Sequence, residues 1–222
     1  MKLVKLYPHM SAQQVELVTR AEFGGLVNIR CSKLNPELCK YLMGCFNPTT
    51  CQLVFPGRGS ILVSEDSVYH TLGVPWGTED VIYGKDKDSV EFMSKQMGRA
   101  SSKQPKITFL EKKLAKMKEA NWTYLRLWTV LAMCSVLAPT TGIHISPRIY
   151  PSLCNIKEVN KLNIPKFVIW MIREAAKSGA DRGILKACVL YFMVGFLIIF
   201  SCLFYVLTAC PTFLVFTFDA RY

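Results

Sequence analysis

A long uncharged run constrains this chain more than any other feature. From Ala187 to Phe218 the sequence contains no charged side chain. About 20 mainly apolar residues are enough to cross the hydrocarbon core of a bilayer. The Phe, Leu, Val and Ile side chains between Ala187 and Cys210 favour membrane insertion by roughly 4 to 8 kcal/mol in total. The sequence therefore predicts a transmembrane helix over 187–210, followed by a short tail, 211–222.

The basic residues near this run predict its orientation. After the predicted span there is only Arg221. Five basic residues precede the span: Lys166, Arg173, Lys177, Arg182 and Lys186. Lys and Arg resist translocation, so the amino-terminal part is expected in the cytosol, as in a tail-anchored protein whose partner is the lipid bilayer. The residues assigned to the membrane span are Val189, Phe192, Phe196, Ile199, Leu203 and Leu207.

Two other interpretations of the run stay open. An uncharged helix can also be buried in the core of a domain. The tail is moreover dense in Phe, Leu, Val, Cys and Tyr, the residues that thymine-rich noncoding DNA encodes when it is read through. On that interpretation the tail is an artefact of the gene model, and the natural protein lacks it.

The charge of the chain lies outside the run. The formal net charge is +11 at pH 7, and the residues from Ala187 onward contribute one Asp and one Arg, so the whole excess belongs to the first 186 residues. A part this basic is attracted to anionic surfaces, either nucleic acid or the anionic cytoplasmic leaflet. It is also long enough to bury a core as one domain without disulfides or metals.

One basic segment carries most of this imbalance. Between Lys95 and Lys118 the sequence has Glu111 as its one acidic residue, against eight cationic ones: Lys95, Arg99, Lys103, Lys106, Lys112, Lys113, Lys116 and Lys118. Its first part, 95–107, is predicted to be a mobile loop, because Gly, Ser, Gln and Pro supply few apolar anchors. The cations form either a solvated face or a surface that contacts phosphates of nucleic acid or of anionic lipid, which requires no sequence specificity.

A long helix is predicted after this loop. Thr108 and Glu111 form a capping-box pattern, and the apolar pattern continues to Leu137. Three aromatic residues on it could stack on bases, although core packing is favoured: Trp122, Tyr124 and Trp128.

The remaining patterns predict a mainly α domain with one small β-hairpin and a single C-terminal transmembrane helix. Residues 1–22 are predicted as an N-terminal helix, in which Ser11 and Gln14 form a capping box. The domain proper is predicted over 23–183. Within it, CQLVF and SILVS flank Pro56-Gly57-Arg58-Gly59, which is the pattern of a hairpin.

The central part of the sequence resembles a known family. The segment LNPELCKYLMGCFNPTTCQLVFPGRGSILVSEDSVYHTLGVPWGTEDVIYG is similar to the plant mobile domain, also called aminotransferase-like, which occurs in transposon-derived plant proteins. The resemblance covers roughly residues 23–178 and is strongest over 34–84. It implies a mostly helical domain without an assigned chemistry, and for some members nuclear roles in transposon silencing.

No constellation of catalytic or metal-binding residues stands out. Asp66 and His70 lie four residues apart on one predicted helix, and we expect a structural pair. The segment 57–60, GRGS, lacks the Gly-Lys-Ser/Thr ending of a phosphate loop. Four nearby cysteines match no common zinc spacing and are predicted to be free thiols: Cys31, Cys39, Cys45 and Cys51. No cofactor, metal or small-molecule substrate is predicted.

The sequence thus predicts a single-pass membrane protein with a cytosolic, non-enzymatic interaction module that contacts a protein or nucleic acid. The alternative is a soluble nuclear protein of transposon origin. In that case the basic segment binds nucleic acid without sequence specificity, and the apolar tail is a gene-model artefact.

Overall fold

Helices make up most of the residues that the structure describes, and a small antiparallel sheet accompanies them. The computed structural model describes residues 2–31, 34–99, 104–139, 143–177 and 188–195. Its helices are α1 Lys2–Leu6, α2 Ala12–Val18, α3 Gly24–Val27, α4 Pro36–Gly44, α5 Glu65–Leu72, α6 Lys87–Gln96, α7 Ile107–Lys116, α8 Trp122–Ala132, α9 Tyr150–Leu153 and α10 Ile164–Lys177. A last helix, α11, covers 189–195. The mainly α fold class is confirmed.

The sheet has three strands, one more than the predicted hairpin. Strands β2 (Gln52–Phe55) and β3 (Gly59–Leu62) form that hairpin, with Leu53 opposite Ile61. A two-residue strand, β1 (Phe46–Asn47), pairs with the other edge of β2. The Asn47 side chain accepts hydrogen bonds from the backbone N–H groups of Thr49 (2.9 Å) and Thr50 (3.3 Å), which turns the chain back onto β2. A two-residue strand has no periodicity by which a sequence can reveal it.

The predicted N-terminal helix is divided into α1 and α2, and both pack against the rest of the domain. Pro8 lies in a 3-10 turn, Tyr7–His9, that separates α1 from α2. The capping box of Ser11 and Gln14 is present at the start of α2. Leu3, Leu6 and Val18 are fully buried in the common core. Residues 2–18 are therefore part of the domain and not a separate unit.

The predicted long helix after the basic loop is broken. Its first half is α7, whose N-cap is Lys106 and which receives no side-chain cap from Thr108. The chain then leaves the helical conformation at Met117 and re-enters it at Trp122, after the N-cap Asn121, whose side chain accepts a hydrogen bond from Tyr124 N (2.9 Å). The second half, α8, is buried at every position from Tyr124 to Ala132, as expected of the central core helix.

The beginning of the uncharged run packs into the domain. In 188–195, Cys188, Leu190, Tyr191 and Phe192 are at most 5% exposed. The ring centroid of Phe192 lies 5.6 Å from that of Phe46 in β1. For these residues the alternative of a buried core helix holds.

The predicted transmembrane span is therefore wrong at its start. Val189 and Phe192 belong to α11, where Phe192 is buried by protein and Val189 packs against the core. Among the helices that the structure describes, none has the length and apolar character needed to cross a membrane. The remaining predicted span residues lie outside the described residues: Phe196, Ile199, Leu203 and Leu207. The segment 178–187 also lies outside them.

Candidate functional site

The structure distributes the predicted basic residues over three elements. Lys95 is in the last turn of α6, and Arg99 follows that helix. Lys106 immediately precedes α7, which carries Lys112, Lys113 and Lys116, while Lys118 lies in the break before α8. Lys103 is outside the described residues. The predicted mobile loop over 95–107 is thus partly ordered, with helix at one end and strand-like pairing at the other.

That strand-like pairing fixes Lys106. The backbone N–H of Ile107 donates to Ile143 O (2.9 Å), and the N–H of Ile145 donates to Pro105 O (2.9 Å). Lys106 consequently lies opposite His144 in an antiparallel bridge, and both side chains are exposed. The bridge anchors the start of α7 to a distant loop, and so it sets the position of a cation that the sequence assigned to a mobile segment.

Two neighbouring grooves lie beside this bridge. The first, the α7 groove, has a volume of about 480 Å³ and is lined by Arg99, Gln104, Lys106, Thr108, Phe109, Lys112 and His144. The second, the α6 groove, has a volume of about 390 Å³ and includes Lys85, Asp86, Lys87, Pro147 and Tyr150 in its lining. Arg99 and Gln104 line both grooves. The two grooves therefore adjoin each other at these two side chains, and we call them together the basic track.

Positive charge dominates the basic track. Among the residues that the structure describes, the one carboxylate in its lining is that of Asp86. Five cationic side chains accompany it: Lys85, Lys87, Arg99, Lys106 and Lys112. Asp86 is also the N-cap of α6, where its Oδ2 accepts a hydrogen bond from Ser89 N (2.7 Å). Hydrogen bonds from Ser89 hold the pKa of Asp86 below its usual value, so this carboxylate stays ionised but is already engaged by the helix end.

An aromatic ring holds the side chain of Arg99 in place. Its guanidinium carbon lies 5.0 Å from the centroid of the Phe109 ring, within the range of a cation–π contact. The contact holds a planar group with several N–H donors where the two grooves meet. Planar guanidinium groups recognise phosphate oxygens through paired hydrogen bonds.

Several predicted contact residues are engaged elsewhere or lie apart from the track. Lys95 forms an ion pair with Glu91 (2.8 Å), whose hydrogen bond raises the pKa of Lys95. Lys113 is half-buried, with Nζ directed towards Gly98. Lys116 and Lys118 are exposed but do not line either groove. The two cations that the sequence analysis missed are Lys85 and Lys87, because they alternate with Asp86 and Asp88 and so produce no run of one sign.

The predicted base-stacking residues are mostly in the core. Tyr124 and Trp128 are fully buried, whereas Trp122 is 48% exposed. The Nζ of Lys157 lies 5.9 Å from the Trp122 ring centroid. Core packing is confirmed for Tyr124 and Trp128, so neither ring is available to a base.

The histidine and cysteine residues considered for catalysis or metal binding lie outside the basic track, except His144. The Nε2 atom of His70 lies 3.3 Å from Oδ1 of Asp66 on the exposed side of α5, which is the expected surface pair. Within the described ranges, no group of three His, Cys, Asp or Glu side chains is placed to hold a metal ion. Cys39 is buried, and burial raises the pKa of its thiol, whereas Cys31 is exposed and Cys45 and Cys51 are half-buried.

The fold and the basic track define a mainly helical domain with a cationic surface formed by α6, α7 and the loops beside them. The chain belongs to the family described as a domain of unknown function (DUF8566), whose model matches residues 1–193. The matched range includes Tyr191 and Phe192, in agreement with their place in the core. In comparisons with curated proteins and with solved structures, nothing matches the chain. The resemblance to the plant mobile domain stays a prediction.

Proposed function

We propose that this domain binds the phosphate backbone of nucleic acid through the basic track, without catalysis and without sequence specificity. The observation that carries the proposal is the charge of the track: among the described residues, five cations and one carboxylate line two adjoining grooves. That carboxylate caps α6, so it opposes an incoming phosphate less than a free one would. Lys and Arg side chains on a groove favour a polyanion that follows the groove.

The expected binding is strongly dependent on salt. Each cation that contacts a phosphate releases condensed counterions, and five contacts give a slope of log affinity against log salt of roughly −4.5 on duplex and −3.5 on a single strand. Contacts to phosphate position a nucleic acid but do not read its sequence. We therefore expect sequences of equal length to bind alike.

The test is a titration of labelled DNA at several salt concentrations, followed by fluorescence anisotropy, with the full chain in a neutral detergent. A variant carrying Lys106→Gln and Lys112→Gln should lower the slope by about 1.4 to 1.8. The matched control is Lys161→Gln, an exposed lysine outside the track that pairs with Glu158 (2.7 Å). An unchanged slope in the double variant, or an equal change in the control, would contradict the proposal.

Membrane attachment is the second candidate function. It is supported by the uncharged sequence that remains after α11, from Phe196 to Phe218. As a helix, 196–210 would reach only about 22 Å, whereas 196–218 would reach about 34 Å, and the hydrocarbon core is about 30 Å thick. With α11 packed in the core, a span must therefore continue through Pro211.

Alkaline extraction of native membranes tests this candidate. The full chain should remain in the membrane pellet, and a variant carrying Leu203→Lys and Leu207→Lys should be released, because each lysine near the centre of the span costs about 3 kcal/mol of insertion free energy. Release of the unchanged chain would contradict membrane attachment. A shorter polypeptide in the native extract would instead support a nuclear protein without the tail.

A further inference from the structure

A third groove contains a group of aromatic side chains that the sequence analysis did not identify. It has a volume of about 300 Å³ and lies between the loop at 80–83 and helix α10. The ring centroid of Tyr83 is 5.3 Å from that of Phe167 and 5.8 Å from that of Trp170. Phe167 and Trp170 are 6.0 Å apart, with their planes at 27°. We call this the aromatic groove.

The three rings form a platform and not a cage. Their centroids are close enough for the rings to pack directly against one another, which leaves no space for an ammonium group between them. Phe167 is buried, whereas Trp170 is 44% exposed and presents its indole to the groove. A flat ligand can therefore stack on Trp170 from the solvent side.

The aromatic groove adjoins the basic track. Gly84 separates Tyr83 of the aromatic groove from Lys85 of the α6 groove, and its backbone N–H donates to Arg148 O (3.0 Å). The Arg148 guanidinium lies 5.5 Å from the Tyr83 ring centroid, and its neighbour Pro147 lines the α6 groove. One surface thus contains, in order, an aromatic platform, the cations Arg148 and Lys85, and the rest of the track.

The rim of the aromatic groove carries little uncompensated negative charge. The carboxylate of Asp80 lies 2.7 Å from Nζ of Lys166, and both side chains line the groove. A planar platform beside cations matches a nucleotide, since a base supplies a face for stacking and its phosphates supply the negative charge. The charge complementarity favours nucleic acid over an apolar peptide.

We propose that the ligand is single-stranded nucleic acid, with one base stacked on Trp170 and the adjoining backbone following Arg148 and Lys85 into the basic track. This inference rests on the proposed function and specifies its ligand. A duplex keeps its bases stacked on one another and cannot offer a base face to a protein surface, whereas a single strand can. Base stacking tolerates any base, and phosphate contacts do not depend on the sequence, so both kinds of contact agree with binding that has no sequence specificity.

Equilibrium binding of a labelled oligo(dT) of about 12 nucleotides, compared with a short duplex, tests the inference with the full chain in neutral detergent. The single strand should bind more tightly than the duplex. Trp170→Leu should weaken binding of the single strand about tenfold, leave duplex binding unchanged and leave the salt slope unchanged. Trp170→Phe keeps a ring for stacking and should recover most of the affinity. The matched control is Trp76→Leu, another tryptophan that is 42% exposed but lies outside the three grooves.

A second variant tests the same platform through a gain of affinity, which a folding defect cannot produce. Asp80→Asn removes the carboxylate and leaves Lys166 without this ion-pair partner. Single-strand binding should then become tighter by a few fold, with a salt slope steeper by about 0.7. Weaker or unchanged binding would contradict a nucleotide stacked on Trp170, because Asp80 and Lys166 line the same groove and its phosphates would lie beside them.

The outcomes separate the inference from the proposed function. Failure to bind either nucleic acid would overturn both. Equal binding of single strand and duplex, with no difference between Trp170→Leu and Trp76→Leu, would overturn the single-strand inference and leave the backbone proposal standing. Tighter binding of phosphatidylserine vesicles than of oligo(dT), with the same loss in Trp170→Leu, would assign the surface to an anionic lipid and overturn the inference.

Discussion

The hydroxyl of Tyr191 lies 2.8 Å from the Oγ of Ser67, and the two groups share a hydrogen bond. Ser67 is also part of the capping box of α5, because its Oγ accepts from Ser64 N (3.0 Å). The bond therefore ties α11, in the uncharged run, to the N-terminus of α5, more than 100 residues earlier in the chain. A membrane helix that began at 187 would have to break this bond and expose the surface that Phe192 covers.

Replacing Phe192 should distinguish a core residue from a membrane residue. Phe192→Ala should lower the free energy of unfolding by about 3 to 5 kcal/mol, because it leaves a cavity beside Phe46. Urea unfolding of the full chain in neutral detergent, followed by tryptophan fluorescence, measures the change. The control is Val189→Ala on the same helix, where the half-buried side chain should cost about 1 kcal/mol or less. Equal effects of the two substitutions would mean that α11 does not contribute to the core.

The buried amide of Gln14 should be as important as a core residue. Its Nε2 donates to Met117 O (3.0 Å) and Glu119 O (3.3 Å), and its Oε1 accepts from Ser11 N (2.9 Å). Gln14→Leu would leave these groups without that partner, at a cost of about 2 to 3 kcal/mol of unfolding free energy. The exposed neighbour provides the control, since Gln13→Leu should change stability by less than about 0.5 kcal/mol. Thermal or urea unfolding decides between the two expectations.

Capping residues and turn glycines predicted the helix ends that depend on interactions within a few residues of the chain. Asn35 before Pro36 starts α4, and Ser64 and Gly73 bound α5, because caps and left-handed glycines act within a few residues. The break between α7 and α8 has its partner, Gln14, more than 100 residues away, so no pattern near Met117 reveals it.

The same distinction explains why the predicted span started too early and why part of the proposed contact surface was not predicted. Hydropathy at 188–195 is equally suited to a bilayer and to a protein core, and only the distant partners Phe46 and Ser67 decide between them. Lys85 and Trp170 join the candidate site through folding, because α10 and the loop before α6 are far apart in sequence. The charge of the segment 95–118 was evident, but the surface that it shares with other elements was not.

A close backbone contact makes Gly77 indispensable. A Cβ at this position would lie 2.0 Å from the carbonyl oxygen of Lys161, and Gly77 N donates to Leu162 O (3.1 Å) in the same crossing. Gly77→Ala must push the two chains apart, and we expect a loss of about 3 kcal/mol or more of unfolding free energy. Gly44→Ala is a control of opposite sign: the site at the end of α4 is open, so alanine should stabilise by about 0.5 to 1 kcal/mol. Destabilisation by both substitutions to the same extent would refute the role of the contact.

Arg126 should not tolerate lysine, and the variant should show a distinctive pH dependence. Its buried guanidinium donates to Leu153 O (3.0 Å), Cys154 O (3.3 Å) and the Gln96 side chain (3.2 Å), and its pKa is lowered by burial. A lysine ammonium cannot reproduce this fork of donors, so Arg126→Lys should cost about 2 kcal/mol at pH 7.

Burial would also lower the pKa of the introduced lysine in the folded state relative to about 10.4 in the unfolded state. Between these two values the unfolded chain binds more protons than the folded one, so stability of the variant relative to the unsubstituted protein should rise with pH. Arginine stays protonated throughout this range and has no such dependence. Urea unfolding of both proteins between neutral pH and pH about 10 measures the difference. A constant difference would show that the introduced amine reaches solvent and that the site does not impose burial on a cation.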